Sequence, residues 1–197
     1  GSTGQPKGAV IPHRMMIAYA HGQLNYWPTR DLRVVNYFPI NHVGCALEVA
    51  IYALVVGGVQ YMEESFDPVA NLELMQRERI TLWGSVPSTF LMQLQLPDFD
   101  DYDLTSVRLI YWGGAALPRE AVERLREVCP RLMTNYGMTE ATISTAIPPT
   151  DDLDALCETV GHPFPGVELR LVDDHGDDVA QGEIGELWVR SAMNMLG

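Results

Sequence analysis

The sequence predicts an α/β fold: a parallel sheet flanked by helices, followed by an incomplete β subdomain. Three observations carry this. Short apolar runs alternate with helix-period segments as far as about Tyr136, the pattern of strands joined by helical crossovers. Glycine or proline punctuates the switches between the two periods. Beyond Thr150 the pattern changes, and two runs with strand-like alternation follow.

Residues 34–39 read as the first strand. A helix over 42–56 follows, apolar almost all round and therefore buried, and Gly57-Gly58 stops it. Residues 59–62 read as the next strand. Asp67 is placed as an N-cap with Pro68 at the first helical position, and Val69, Leu72 and Met75 form that helix's inner stripe. A strand over 80–86 ends at Pro87, before a helix over 88–96. A strand over 107–112 runs into Gly113-Gly114. Pro118 opens a helix over 119–129 whose stripe is Ala121, Val122, Leu125, Val128 and Cys129, with Glu120 spaced to pair with Arg124. Pro130 ends it, and residues 132–135 form the next strand. Asp151-Asp152 and nearby acids mark a loop. Strands over 167–172 and 186–190 then flank turns at Asp173-Asp174-His175-Gly176 and Gln181-Gly182. This divides the chain into a unit over 1–150 and the start of a β subdomain over 151–197.

A chain of 197 residues that is 47% hydrophobic supports one substantial core, or one core plus part of another. Thirteen basic residues against 26 acidic ones give a net charge of −13, which argues against nucleic acid or an anionic membrane as a primary partner. The same field repels polyphosphates, so a bound nucleotide needs local donors and a screening cation. Cys45, Cys129 and Cys157 fit neither a zinc site nor a disulfide framework, and a reducing, cytoplasmic setting is expected. The longest apolar stretch, 45–56, is interrupted by Glu48 and is too short to span a bilayer.

The opening run Gly1-Ser2-Thr3-Gly4-Gln5-Pro6-Lys7-Gly8 suits a polyphosphate. Its glycines let backbone N–H groups approach phosphate oxygens, Ser2 and Thr3 add hydroxyl donors, and Lys7 adds a flexible charge. It lacks the Gly-Lys-Ser/Thr ending of the Walker loop; a plain flexible loop is the alternative. Far downstream, Asn135-Tyr136-Gly137-Met138-Thr139-Glu140 supplies an aromatic face, a hydroxyl and a carboxylate. Singly, each has a bland reading: Tyr136 in a core, Thr139 as a cap, Glu140 as a solvated acid.

Taken together these segments resemble the adenylate-forming superfamily, which comprises acyl-CoA synthetases, the adenylation domains of peptide synthetases and firefly-type luciferases. The opening run resembles its phosphate loop, and Tyr136 to Glu140 its Tyr-Gly-x-Thr-Glu motif. Gly113-Gly114-Ala115-Ala116-Leu117-Pro118 resembles its adenine-side segment, and Pro39-Ile40-Asn41-His42-Val43-Gly44 the segment carrying an acyl-site histidine. Two later runs, 160–166 and 182–190, fit in the same order.

The resemblance implies ATP-dependent activation of a small-molecule carboxylic acid to an acyl-adenylate, followed by transfer to CoA. Ser2, Thr3, Gly4 and Lys7 would hold the β- and γ-phosphates. Thr139 would fix the α-phosphate, Glu140 would hold Mg2+, and Gly114, Ala115, Ala116, Asn135, Tyr136 and Gly137 would hold adenine. Lys7, His42, Thr139 and Glu140 are the implied catalytic set. Peptide-synthetase domains place an aspartate in the histidine segment to hold a substrate ammonium. Asn41-His42-Val43-Gly44 supplies none, which favours an acid without an α-amino group. Trp83, Val86, Pro87, Ser88, Phe90, Tyr111 and Trp112 are candidate walls of the acyl pocket. The chain begins inside a motif, so a piece of a longer protein is expected, inactive without the lid that supplies a lysine. Amino-acid adenylation, non-catalytic nucleotide binding and luciferase-like oxidation remain alternatives.

Overall fold

The computed structural model describes residues 8–197. The sheet strands are β1 (Arg33–Asn36), β2 (Val59–Met62), β3 (Leu82–Ser85), β4 (Leu109–Trp112), β5 (Leu132–Met138), β6 (Thr142–Thr150) and β7 (His162–Pro163). They form one sheet of order β2-β1-β3-β4-β5-β6-β7. The first five run parallel, while β6 and β7 continue antiparallel. The helices are α1 (His13–Gln23), α2 (Ile51–Val56), α3 (Pro68–Arg77), α4 (Pro87–Leu94), α5 (Arg119–Val128) and α6 (Leu153–Glu158). A separate antiparallel pair, β8 (Val167–Val172) and β9 (Glu186–Ser191), follows.

The apolar runs are nearly continuous because both faces of the sheet are covered. Side chains along a strand alternate between faces, and the two cores sort accordingly. Val35, Trp83, Ile110, Trp112 and Leu132 join the core under α3, α4 and α5. Val34, Leu82, Leu109, Tyr111 and Met133 join the opposite core, which holds Met15 and Tyr19 of α1 and Tyr52 of α2. Val167 beside β7 and Met193 after β9 pack into this second core too.

The parallel α/β expectation is met strand by strand, with local corrections. The Asp67 side chain accepts from the Ala70 N–H at 2.9 Å, as a helix cap should. Leu72 and Met75 are buried on that helix, but Val69 in its first turn is 38% exposed. Arg124 does not pair with Glu120. It reaches Asp100, in the short 3-10 helix Phe99–Asp101, at 2.6 Å, and Glu127, three residues on, at 2.8 Å. The helix expected over 42–56 begins as a π-helix, Gly44–Ala50, and only then becomes α2. Helix α1, strand β6 and helix α6 had no counterpart in the sequence reading. The acids read as a loop at Asp151-Asp152 in fact start α6: Asp152 accepts from the N–H groups of Asp154 and Ala155, both at 3.1 Å.

Candidate functional site

The apolar pattern places the end of the fifth strand at Asn135; the strand runs on to Met138 and turns through Thr139 to Ala141 into β6. Tyr136 and Gly137 therefore lie within a strand, and no helix follows them. Two backbone features shape this hairpin. A Cβ on Gly137 would stand 1.8 Å from the Thr142 carbonyl oxygen, so only glycine fits the approach of β5 to β6. Thr142 itself has φ of +52°, a conformation unfavourable to a β-branched residue. Such strain persists where surrounding structure enforces it, commonly at functional sites.

Two adjoining clefts meet at the carboxyl ends of the parallel strands, where open α/β sheets bind ligands. The first, of about 190 Å³, is lined by Trp112, Gly114, Ala115, Ala116, Tyr136 and Gly137, and closed by α6 and Thr159-Val160. The glycine-alanine segment and the tyrosine motif, 20 residues apart in sequence, thus form one recess. Tyr136 is 39% exposed, leaving ring surface available for stacking. Gly114 has φ of +86°, turning the chain sharply out of β4.

The second cleft, of about 240 Å³, is lined by His42, Val43, Glu48, Ser85, Val86 and Tyr111, with Phe38, Thr139 and Thr142 also contributing. Gly114, Asn135 and Gly137 line both clefts and form the wall between them. His42 is exposed, and its Nδ1 accepts the Gly44 N–H at 3.0 Å, which assigns the ring proton of the neutral form to Nε2. The π-helix is anchored from the sheet: buried Asn36 of β1 donates to the Cys45 carbonyl oxygen at 3.2 Å.

In the sequence Glu48 stands out only as a break in an apolar run. On the π-helix its carboxylate reaches the cleft and accepts a hydrogen bond from the Tyr111 hydroxyl of β4. Burial pushes the Glu48 carboxyl above its ordinary 4.5, and the Tyr111 hydrogen bond only partly offsets this. Burial, reinforced by the negative charge of Glu48, holds Tyr111 well above 10.0. Asn135 lies near enough to favour the ionised Tyr111, yet its buried Nδ2 finds no hydrogen-bond partner among the described residues. Residues 41–44 hold no acid, as read, but the histidine segment does bring one to the cleft six positions after His42. A lone carboxylate in an otherwise apolar helix was the signal that could have found it.

Of the seven proposed acyl-pocket walls, only Val86 and Tyr111 line the cleft of His42. Trp83, Phe90 and Trp112 belong to the core under α3, α4 and α5, and Trp112 borders the first cleft instead. The period of two explains the split: Tyr111 and Trp112 are successive residues and point to opposite faces. Ser2, Thr3, Gly4 and Lys7 lie outside the described residues.

Glu140 sits within the hairpin turn, beside a third recess lined also by Met138, Trp188 and Met195. Its carbonyl oxygen accepts the Met195 N–H at 2.8 Å, while Val10 exchanges two backbone hydrogen bonds with Leu196 and Gly197. Among the described residues no group of three or more His, Cys, Asp or Glu could hold a metal ion. Glu168 lines the same recess but is paired with Arg190, so a cation here would have the Glu140 carboxylate and complete its shell with phosphate oxygens and water. That donor set suits magnesium, which keeps several waters. Among the described residues no helix is long and apolar enough to cross a membrane.

Comparison with known proteins gives consistent results. A family profile described as AMP-binding enzyme matches residues 1–197. The chain is 30% identical over 191 residues to an indoleacetate–CoA ligase of Aromatoleum aromaticum, covering 96% of this chain and 38% of that protein. It is 30% identical over 192 residues to a medium/long-chain-fatty-acid–CoA ligase of Mycobacterium tuberculosis, covering 96% of this chain and 33% of that protein. Its fold matches the amide bond synthetase McbA of Marinactinospora thermotolerans with a TM-score of 0.89 and 34% identity, over 99% of this chain and 40% of that one. The chain therefore spans well under half the length of these relatives.

Proposed function

The chain belongs to the AMP-binding enzyme family, and from that premise we propose that it forms the nucleotide- and acid-binding part of an enzyme that activates a carboxylic acid with ATP. The observation that carries this is the common wall of Gly114, Asn135 and Gly137 between two clefts. One cleft suits adenine: Tyr136 offers a ring face and Gly114 to Ala116 offer close backbone approach. The other suits the acid, with His42 at its mouth and Thr139 on its rim. A carboxylate in the second cleft would lie across the wall from a nucleotide in the first, with the α-phosphate at Thr139.

In this reading the substrate carboxylate attacks the α-phosphorus in line. Acyl-adenylate forms and pyrophosphate leaves. The residues contribute by holding the two reactants together and by matching the charge that develops. The Thr139 hydroxyl donates to an α-phosphate oxygen. The His42 Nε2–H lies on the acid side, where it orients the carboxylate. Ser2, Thr3, Gly4 and Lys7 supply the donors for the outer phosphates. Glu140 would hold magnesium, which supplies screening of the triphosphate charge when bound. Transfer of the acyl group to CoA follows, as the names of the ligase relatives suggest. The 34% identity to an amide bond synthetase favours one second reading, in which an amine takes the acyl group instead.

The test is ATP–pyrophosphate exchange by the intact enzyme with aryl, fatty and amino acids. Exchange that depends on an added acid, and that falls about 100-fold in Glu140→Gln, is expected. Nucleotide binding with no acid-dependent exchange would refute activation. Mass analysis of the product with CoA or an amine present then separates the two acceptors.

A further inference from the structure

Building on the activation reading, we infer that the acid is a small aromatic one carrying an O–H or N–H donor at the end away from its carboxylate, and that Glu48 selects it. Among the described residues, Glu48 is the one carboxylate that lines the second cleft, and no lysine or arginine lines it. Around it stand Phe38, Val43, Val86 and Tyr111, flat or apolar surfaces suited to a ring. The Tyr111 hydroxyl occupies Oε2, which leaves Oε1 as an acceptor for an incoming donor. The unpartnered Asn135 Nδ2 adds a second polar group to the same cleft.

Position gives the direction. His42 is exposed at the mouth, whereas Glu48 meets Tyr111, which is 3% exposed within the α1-side core. A carboxylate held near Thr139 and His42 therefore directs the far end of its molecule toward Glu48. At about 240 Å³ the cleft is below the usual range for ligand pockets, which restricts it to small acids. An alkyl chain there would leave the Glu48 Oε1 without solvent or a donor, and the burial of that oxygen uncompensated. A site that offers a buried acceptor discriminates strongly against analogues lacking the donor. Burial holds the carboxyl above its ordinary range, and an added donor, like Tyr111, offsets that by favouring the ionised form.

The experiment measures calorimetric binding and pyrophosphate exchange by the intact enzyme with benzoate, hydroxybenzoates, aminobenzoates and octanoate. Donor-bearing acids are expected to bind about tenfold or more tightly than benzoate or octanoate. Glu48→Leu is expected to erase that preference. The hydroxyl and amino series separate the two kinds of donor. Equal or tighter binding of benzoate or octanoate by the wild type would overturn the inference, even if the variant fails to fold. Preferential binding of donor acids without exchange would keep the role of Glu48 and remove the activation reading.

Discussion

The Tyr111 hydroxyl of β4 donates to the Glu48 carboxylate of the π-helix, so one polar contact joins the sheet to the wall that covers it. This contact has a consequence for pH. Burial raises Glu48 above 4.5 in the native state, so the folded protein holds that proton more tightly than the unfolded chain. From the ordinary value up to the raised one, the native state carries more protons. Stability from this group is therefore full below 4.5 and falls as pH rises through the window. Denaturant unfolding of wild type and Glu48→Gln across that range should give a difference that grows in favour of the variant and then levels off. Parallel curves would refute it.

Tyr52 gives a second titration at the alkaline end. Its hydroxyl donates to the carbonyl oxygens of Trp27 and Pro28, both at 3.3 Å. Burial raises it from 10.0 to about 12. An unfolded chain ionises first, so this contribution declines as pH rises from 10.0 to about 12. Tyr52→Phe should lose about 1 kcal/mol at neutral pH and shed that alkaline decline.

At the hairpin, Gly137→Ala forces a Cβ against the Thr142 carbonyl oxygen. Strands β5 and β6 must separate to admit it. A loss of about 3 kcal/mol is expected by urea unfolding. A change below about 0.5 kcal/mol would mean the close approach is not enforced.

Tyr136 is predicted to act on the nucleotide rather than on folding. In the intact enzyme Tyr136→Ala should raise KM for ATP about fivefold to tenfold, a stacking loss of about 1 kcal/mol. Tyr136→Phe should keep near-native KM. The half-exposed ring predicts stability changes within about 0.5 kcal/mol for both. Equal KM values in all three proteins would remove adenine stacking from the reading.

Helix α5 is tied to α6 by Arg119, which contacts Asp154 at 2.7 Å and Glu158 at 2.9 Å. All three side chains are exposed, so Arg119→Ala should cost no more than about 1 kcal/mol, and molar salt should erase the difference. A larger, salt-independent loss would point to packing of the arginine stem instead.

Much of this architecture was legible in the residue pattern. The strands from Val34 to Leu132 and the helices between them could be read because burial on both faces leaves apolar runs and the turns need glycine or proline. Strand β6 was missed because its residues 142–150 mix threonine, serine and proline. What makes it a strand is pairing with β5, a tertiary fact absent from local propensity. Helix α1 has a weak apolar stripe broken by histidines and a glycine. The glycine-alanine and tyrosine motifs were readable, and so was their meeting in a crevice. Which neighbours joined them was not, since Tyr111 and Trp112 differ only in which face their Cβ takes. Glu48 was hidden for a related reason: a π-helical turn changes which residues face the sheet, and the 3.6-residue period gives no warning of it.

Sharing one partition has an unequal effect on how the enzyme can diversify. Gly114, Asn135 and Gly137 line both clefts, so under the proposed function a change in any of them disturbs nucleotide and acid at once. Val43, Glu48 and Val86 border only the cleft proposed for the acid. On that reading, new acid preferences can arise at those three positions while the handling of ATP stays intact.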